Sequence, residues 1–173
     1  MEIYQPAEDS WFFSEFLKDY IQSFVDRDIS YCDIGTGSGI LAETAFNSGV
    51  LKENILCVDI NPLALEIVKK KGFNVLKSDL FENMNNEKFD LITFNTPYLP
   101  EHEYDSLPDT TGGKKGDEVT LRFIEQAKKH LKENGKCFFL VSSHTPLEEI
   151  KKHGKIVAKK KIFFEELLIF ELD

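Results

Sequence analysis

Five apolar runs with three helical stretches among them, then two more with no room for a helix between them, constrain this chain more than any other feature. Ile29 to Ile34, Asn54 to Asp59, Phe73 to Lys77, Lys88 to Asn95 and Lys136 to Ser142 read as strands. The second is nearly continuous in apolar residues, as strands buried on both faces are. Ser38 to Ser48, Pro62 to Lys71 and Asp117 to Leu131 read as helices, the last carried by Val119, Leu121, Phe123, Ile124, Ala127 and Leu131. Pro62 suits a first helical turn, Gly72 ends that helix, and Gly135 is expected to stop the next. Pro146 to His153 adds a short helix closed by Gly154. Strands alternating with helices predict a parallel sheet with right-handed crossovers. The last two runs, Lys155 to Ala158 and Glu166 to Phe170, must then pair as an antiparallel hairpin at one edge. The expected fold class is α/β, a Rossmann-like seven-stranded sheet, mostly parallel, with a C-terminal antiparallel hairpin and helices on both faces.

A chain of 173 residues, 42% hydrophobic and with 15 Phe, is expected to form one domain over 1–173 without staples. Residues 1–28 make an N-terminal segment and helix, and the stretch from Pro97 to Gly116 is one long irregular loop of the functional kind. The formal charge of −9 makes nucleic acid a poor default partner. The run Lys159-Lys160-Lys161 is the best local exception and reads as a solvated strand end. Cys32, Cys57 and Cys137 each sit in an apolar run with no CxxC spacing, which predicts small buried hydrophobes and no metal site. Without a run long enough to span a bilayer or a signal-peptide pattern, a cytoplasmic or nuclear location is expected, the cytoplasm first.

Four stretches carry chemistry. In Asp33-Ile34-Gly35-Thr36-Gly37-Ser38-Gly39 a strand ends in an acid and runs into alternating glycines, which let a ligand approach the backbone closely. The spacing is not the one that aims a helix at a pyrophosphate; the acid suits a cationic group, such as the amino group of a methionine moiety. Asp59, at the next strand end, can accept two bonds from a ribose diol. Asp79 or its neighbour's backbone can take the exocyclic amine of adenine, with Ile60 and Leu80 on either side of the ring. Together these predict an adenosine carrying a charged tail. Asn95-Thr96-Pro97-Tyr98 then follows the fourth strand. The Asn95 side-chain oxygen and the Thr96 carbonyl can each accept an N–H of a planar amide, and Tyr98 can stack on it. Such a site works by positioning and electrostatics, not by a strong base.

With Tyr4-Gln5-Pro6-Ala7-Glu8-Asp9-Ser10, Ser78-Asp79-Leu80 and Gly112-Gly113-Lys114-Lys115-Gly116 added, the chain resembles the HemK/PrmC family of class I methyltransferases over nearly its whole length, in particular its short archaeal and eukaryotic branch. The resemblance implies S-adenosyl-L-methionine as cofactor and, as substrate, the glutamine nitrogen of the Gly-Gly-Gln motif in class I translation termination factors. It places Ser10 and Glu8 near the cofactor, beneath an N-terminal segment, and makes 97–116 a substrate-side loop. It implies a small zinc-binding activator protein, expected on the Phe73-Asn74-Val75 strand. The helical domain that bacterial members carry before this point is not expected here, with Tyr4 already in the first motif. Where the family loop reads Asn-Pro-Pro-Tyr this chain has Thr96, which keeps the carbonyl acceptor but is expected to lose a fixed φ and some rigidity. Retained activity with a shifted substrate range is expected. Methylation of adenine N6, guanine N2 or a protein lysine stays open at this point, as does a cofactor-binding scaffold that only holds a partner.

Overall fold

The computed structural model describes residues 5–24, 27–98 and 112–173. Tyr4 and positions 99–111 of the long loop lie outside the described residues. The chain runs α1 (Glu8–Gln22), β1 (Tyr31–Ile34), α2 (Ile40–Asn47), β2 (Ile55–Asp59), α3 (Pro62–Lys70), β3 (Asn74–Lys77), β4 (Phe89–Asn95), α4 (Glu118–Ala127), β5 (Leu131–Ser142), α5 (Leu147–Ile150), β6 (Gly154–Ile162) and β7 (Glu165–Leu172). The strands form one sheet in the order β3-β2-β1-β4-β5-β7-β6. β1 to β5 are parallel, and β7 pairs antiparallel with both β5 and β6. The expected seven-stranded α/β sheet is thus present, with its strand order reversing between β1 and β4. At that reversal the helices diverge to opposite faces and leave a crevice beyond the strand ends.

Alternation along each strand divides the core into two layers. Tyr31, Leu91, Phe138, Leu140 and Ile169 pack with Phe13, Leu17, Leu41, Ala45 and Val68 of α1, α2 and α3. Cys32, Ile92, Phe94, Phe139 and Phe170 face the other way, against Phe123 and Ile124 of α4 and Ile150 of α5. Each such large apolar side chain contributes roughly 1.5–3 kcal/mol by leaving water. The cysteines are buried and unpaired, and burial pushes the Cys57 thiol up to about 12.

α1 docks through Phe13, Leu17 and Ile21, a four-residue spacing that lines one helix face. Its Phe16 and Tyr20 meet the Phe138 ring edge-on at 5.0 and 4.6 Å. Its start is weak by comparison. The N-cap is Ala7, which offers no side-chain bond, and only Glu8 and Asp9 in the first turn complement the helix dipole.

Three expectations need correction. α4 ends at Ala127 and not at Leu131, because Lys128–His130 tighten into a 3-10 turn and Leu131 already pairs with Phe89. Gly135 stops no helix. It lies inside β5, in an irregularity between the pairs Phe89↔Leu131 and Leu91↔Lys136, beside Asn134 at φ 65. A Cβ there would come within 2.8 Å of the Phe89 carbonyl oxygen. Finally, the helix expected over 146–153 is a single turn, Leu147–Ile150, and Gly154 opens β6 because pairing with Leu172 claims it. The lysine run continues that pairing, Lys159 to Lys161 facing Leu168, Leu167 and Glu166. Among the described residues no helix is long and apolar enough to cross a membrane.

Candidate functional site

The register of β1 against its neighbours assembles the site. Ile34 pairs with Val58 on one side and Phe94 on the other. The next residues on these three strands are Gly35, Asp59 and Asn95, so three stretches far apart in sequence meet at one sheet edge. Gly35 and Gly37 adopt φ 60 and 51, the left-handed region. A Cβ on Gly35 would stand 2.7 Å from the Phe94 ring, which is why the turn can lie so close over the end of β4.

Asp33 sits beneath that turn, only 1% exposed. The Thr36 hydroxyl donates to its Oδ2 at 2.7 Å and the Thr93 hydroxyl to its Oδ1 at 3.1 Å. Thr93 spends its proton on Asp33, so the Tyr31 hydroxyl, 2.5 Å away, must donate to Thr93. Burial raises the Asp33 carboxyl to about 7 in spite of these bonds, and the Asp59 charge adds to the rise. The acid read as a partner for a cationic group is therefore a poised carboxyl and not a fully ionised one.

Asp59 spans the crevice. Its Oδ2 accepts the Gly37 N–H at 2.9 Å and its Oδ1 the Asn61 N–H at 2.8 Å, which ties the glycine turn to the end of β2. A carboxylate only accepts, which suits hydroxyl donors. Ile60 beside it is 51% exposed, an apolar wall open to solvent. Leu80, at φ 48, turns its side chain into the core instead and is only 5% exposed. The Asp79 carboxylate is paired with Arg122 of α4 at 2.8 Å, and the same guanidinium reaches Glu82 at 3.2 Å.

Asn95 closes β4. Its Nδ2–H donates to Asp9 Oδ2 at 3.0 Å, with Ser10 Oγ at 3.5 Å, whereas its Oδ1 is buried and has no partner among the described residues. Leaving such an acceptor without a donor costs about 1–3 kcal/mol. Thr96 is better anchored than expected. Its N–H and its hydroxyl both donate to the Leu140 carbonyl, at 3.3 and 2.7 Å, so hydrogen bonds hold what a proline ring would hold elsewhere. The Thr145 hydroxyl donates to the Tyr98 carbonyl at 3.2 Å. A Cβ on Gly112 would stand 2.5 Å from the Pro97 carbonyl oxygen, so the second glycine segment lies directly on the Asn-Thr-Pro-Tyr loop. Glu118 fixes that segment by accepting the Lys115 and Gly116 N–H groups at 3.1 and 3.2 Å.

The structure thus brings Ser10, Asp33, Gly35, Gly37, Asp59 and Asn95 to one crevice, with Ile60, Asp79 and Leu80 at the adjoining strand ends. Sequence reasoning missed Asp9, Thr93 and Arg122 as parts of the site. Asp9 stood inside the Gln-Pro-Ala-Glu-Asp-Ser stretch, which was the available signal; Thr93 and Arg122 carry none. Among the described residues no three His, Cys, Asp or Glu side chains gather as metal ligands would.

The profile of the methyltransferase small domain matches residues 14–163. A Methanocaldococcus jannaschii protein, provisionally named a protein N5-glutamine methyltransferase, is 35% identical over 97% of this chain and 90% of its own length. A release factor glutamine methyltransferase of Rhodopirellula baltica is 33% identical over 64% of this chain, but the match spans only 43% of that protein. Among solved structures, the E. cuniculi Mtq2–Trm112 complex, which methylates the eRF1 translation termination factor, superposes with a TM-score of 0.76 at 26% identity. That superposition covers 100% of this chain and 99% of the other.

Proposed function

Since the chain belongs to the small-domain methyltransferases, and among them to the HemK/PrmC protein-glutamine methyltransferases, we propose that it methylates the side-chain nitrogen of the glutamine in a Gly-Gly-Gln motif of a translation termination factor. The observation that carries this reading is the Oδ1 of Asn95, buried at the end of β4 with no hydrogen-bond partner among the described residues. It is an acceptor waiting for an N–H.

The residues present fit S-adenosyl-L-methionine. Asp59 suits the ribose hydroxyls, Ile60 the adenine face, the loop at Asp79 and Leu80 the adenine edge, and the Gly35–Gly37 turn with Asp33 and Ser10 the amino-acid end. That cofactor supplies a methyl group on a sulfonium, already electrophilic, so no side chain need activate it. The work left to the chain is orientation. An amide nitrogen is a weak nucleophile whose lone pair is delocalised. Asn95 Oδ1 and the Thr96 carbonyl each accept one of its N–H bonds, which fixes the amide plane, and Tyr98 stacks on that plane. Anchoring of Thr96 on Leu140 and of Tyr98 on Thr145 keeps these acceptors still. Positioning of this kind is worth several powers of ten in rate.

A small zinc-binding activator along β3 belongs to the same proposal. β3 is an outermost strand of the sheet, and the exposed Phe46 lies 6.3 Å from Phe73 at its start. The test is transfer of labelled methyl from S-adenosylmethionine by the chain, with and without its copurified partner, to a termination factor, to RNA and to a lysine-rich protein. Mass spectrometry of a methylated glutamine, lost in Asn95→Ala, supports the reading. Methyl found on a base amine or a lysine refutes it.

A further inference from the structure

Resting on the glutamine reading, we propose that Asp9 is a positioning residue that decides which way round the Asn95 amide is held. An asparagine amide can turn half a revolution about its last bond with almost no change in shape, exchanging an acceptor for a donor. The place of Asn95 at the end of β4 does not choose between the two. Asp9 does. It is a buried carboxylate in the first turn of α1, and a carboxylate only accepts. At 3.0 Å from Asn95 it admits the –NH2 and turns Oδ1 away, into the site.

Asp9 is itself locked. The Ser10 N–H donates to its Oδ1 at 2.7 Å and the Ser10 hydroxyl to the same atom at 3.3 Å. Oδ1 is thus tied to the backbone of α1, and Oδ2 is the atom presented to Asn95. One side of the Asn95 amide is specified by this carboxylate and the other is left for a substrate N–H.

The same geometry dictates what Asp9→Asn does. The Ser10 N–H keeps the oxygen of the new amide at the Oδ1 position, so its –NH2 replaces Oδ2 and faces Asn95 as a donor. Asn95 must then turn its oxygen toward α1 and its –NH2 toward the substrate. A donor now meets a donor. Adding Asn95→Asp removes the conflict, because the new –NH2 donates to one carboxylate oxygen and the other returns to the site as an acceptor.

Wild type, Asp9→Asn, Asn95→Asp and the double variant are compared in methyl transfer to the termination factor, with cofactor affinity measured by calorimetry. Asp9→Asn is expected to lower kcat about a hundredfold while cofactor Kd stays within about threefold, the signature of a lost orienting contact. Asn95→Asp alone sets two carboxylates face to face and does no better. The double variant recovers at least about tenfold over either single change, a coupling that a merely structural role does not produce. In parallel, the Asn95 side-chain –NH2 resonance, assigned by its loss in Asn95→Ala, is protected from exchange in wild type and loses that protection in Asp9→Asn. Unchanged kcat in Asp9→Asn, no recovery in the double variant, or a wild-type –NH2 that exchanges as freely as an exposed amide overturns the proposal. The exchange measurement needs no substrate, so it judges Asp9 even where wild type leaves the termination factor unmethylated and the glutamine reading itself fails.

Discussion

Raising the pH through neutrality should tighten cofactor binding, and Asp33 sets the size of the change. Burial holds its carboxyl at about 7, with Thr36 and Thr93 pulling it down and Asp59 pushing it up. At about pH 6 roughly a tenth of the free protein then carries an ionised Asp33, and at about pH 8 roughly nine tenths. With the ionised form receiving the cationic amino group, affinity rises about tenfold over that window, or about 1.4 kcal/mol, and then levels off. Stability runs the opposite way. The folded-state value lies above the unfolded one, so the contribution of the neutral acid is complete below about pH 4 and is lost as pH climbs through about 7. Its ceiling is on the order of 4 kcal/mol. Asp33→Asn should therefore raise Tm at pH 8, where the buried charge is costly, and change it little in acid. The assay is calorimetric titration with S-adenosylhomocysteine, whose amino group, lacking a neighbouring sulfonium, stays protonated in this range. Run in two buffers of different ionisation enthalpy, it counts the proton released on binding. Nearly one proton at pH 6, and a tenfold slope, are expected in wild type, and neither in Asp33→Asn. An affinity flat with pH, or a slope that survives the substitution, refutes the argument.

Two further substitutions probe the loop. Thr96→Val removes the hydroxyl bond to Leu140 but keeps the backbone one; a loss of about 1 kcal/mol and about 3 °C in Tm is expected by thermal unfolding. Thr96→Pro removes both donors, so Tm should fall further, while kcat stays within about threefold because the carbonyl acceptor remains. Gly112→Ala drives a methyl group onto the Pro97 carbonyl, so kcat should drop more than about tenfold with calorimetric cofactor affinity unchanged. Parallel loss of both would make that contact a general support of the fold.

The strands were legible because burial on both faces leaves nearly continuous apolar runs, and Asp33, Asp59 and Asn95 because strand ends are where such runs stop. Gly135 misled for a physical reason. Asn-Gly after a helical pattern resembles a helix stop, but the same pair serves an irregularity inside a strand, and only the pairing of Leu131 with Phe89 decides between them. Thr93 and Arg122 were silent because their partners, Asp33 and Asp79, stand 60 and 43 positions away. No local pattern announces a contact made by tertiary docking. Thr96 read as a weakened proline for a related reason, since the Leu140 carbonyl that anchors it comes from the next strand of the sheet, 44 positions on.

α1 begins at Ala7 without a side-chain cap, and helix ends of that kind fray. Asp9 lies in that first turn. Each brief unwinding of one helical turn would release the Asn95 amide, so the fraction of molecules ready to react is set by a local opening equilibrium far cheaper than global unfolding. A polypeptide or small molecule that caps the start of α1 would raise the rate without touching the crevice, and one that pries the turn loose would silence a protein that is otherwise fully folded.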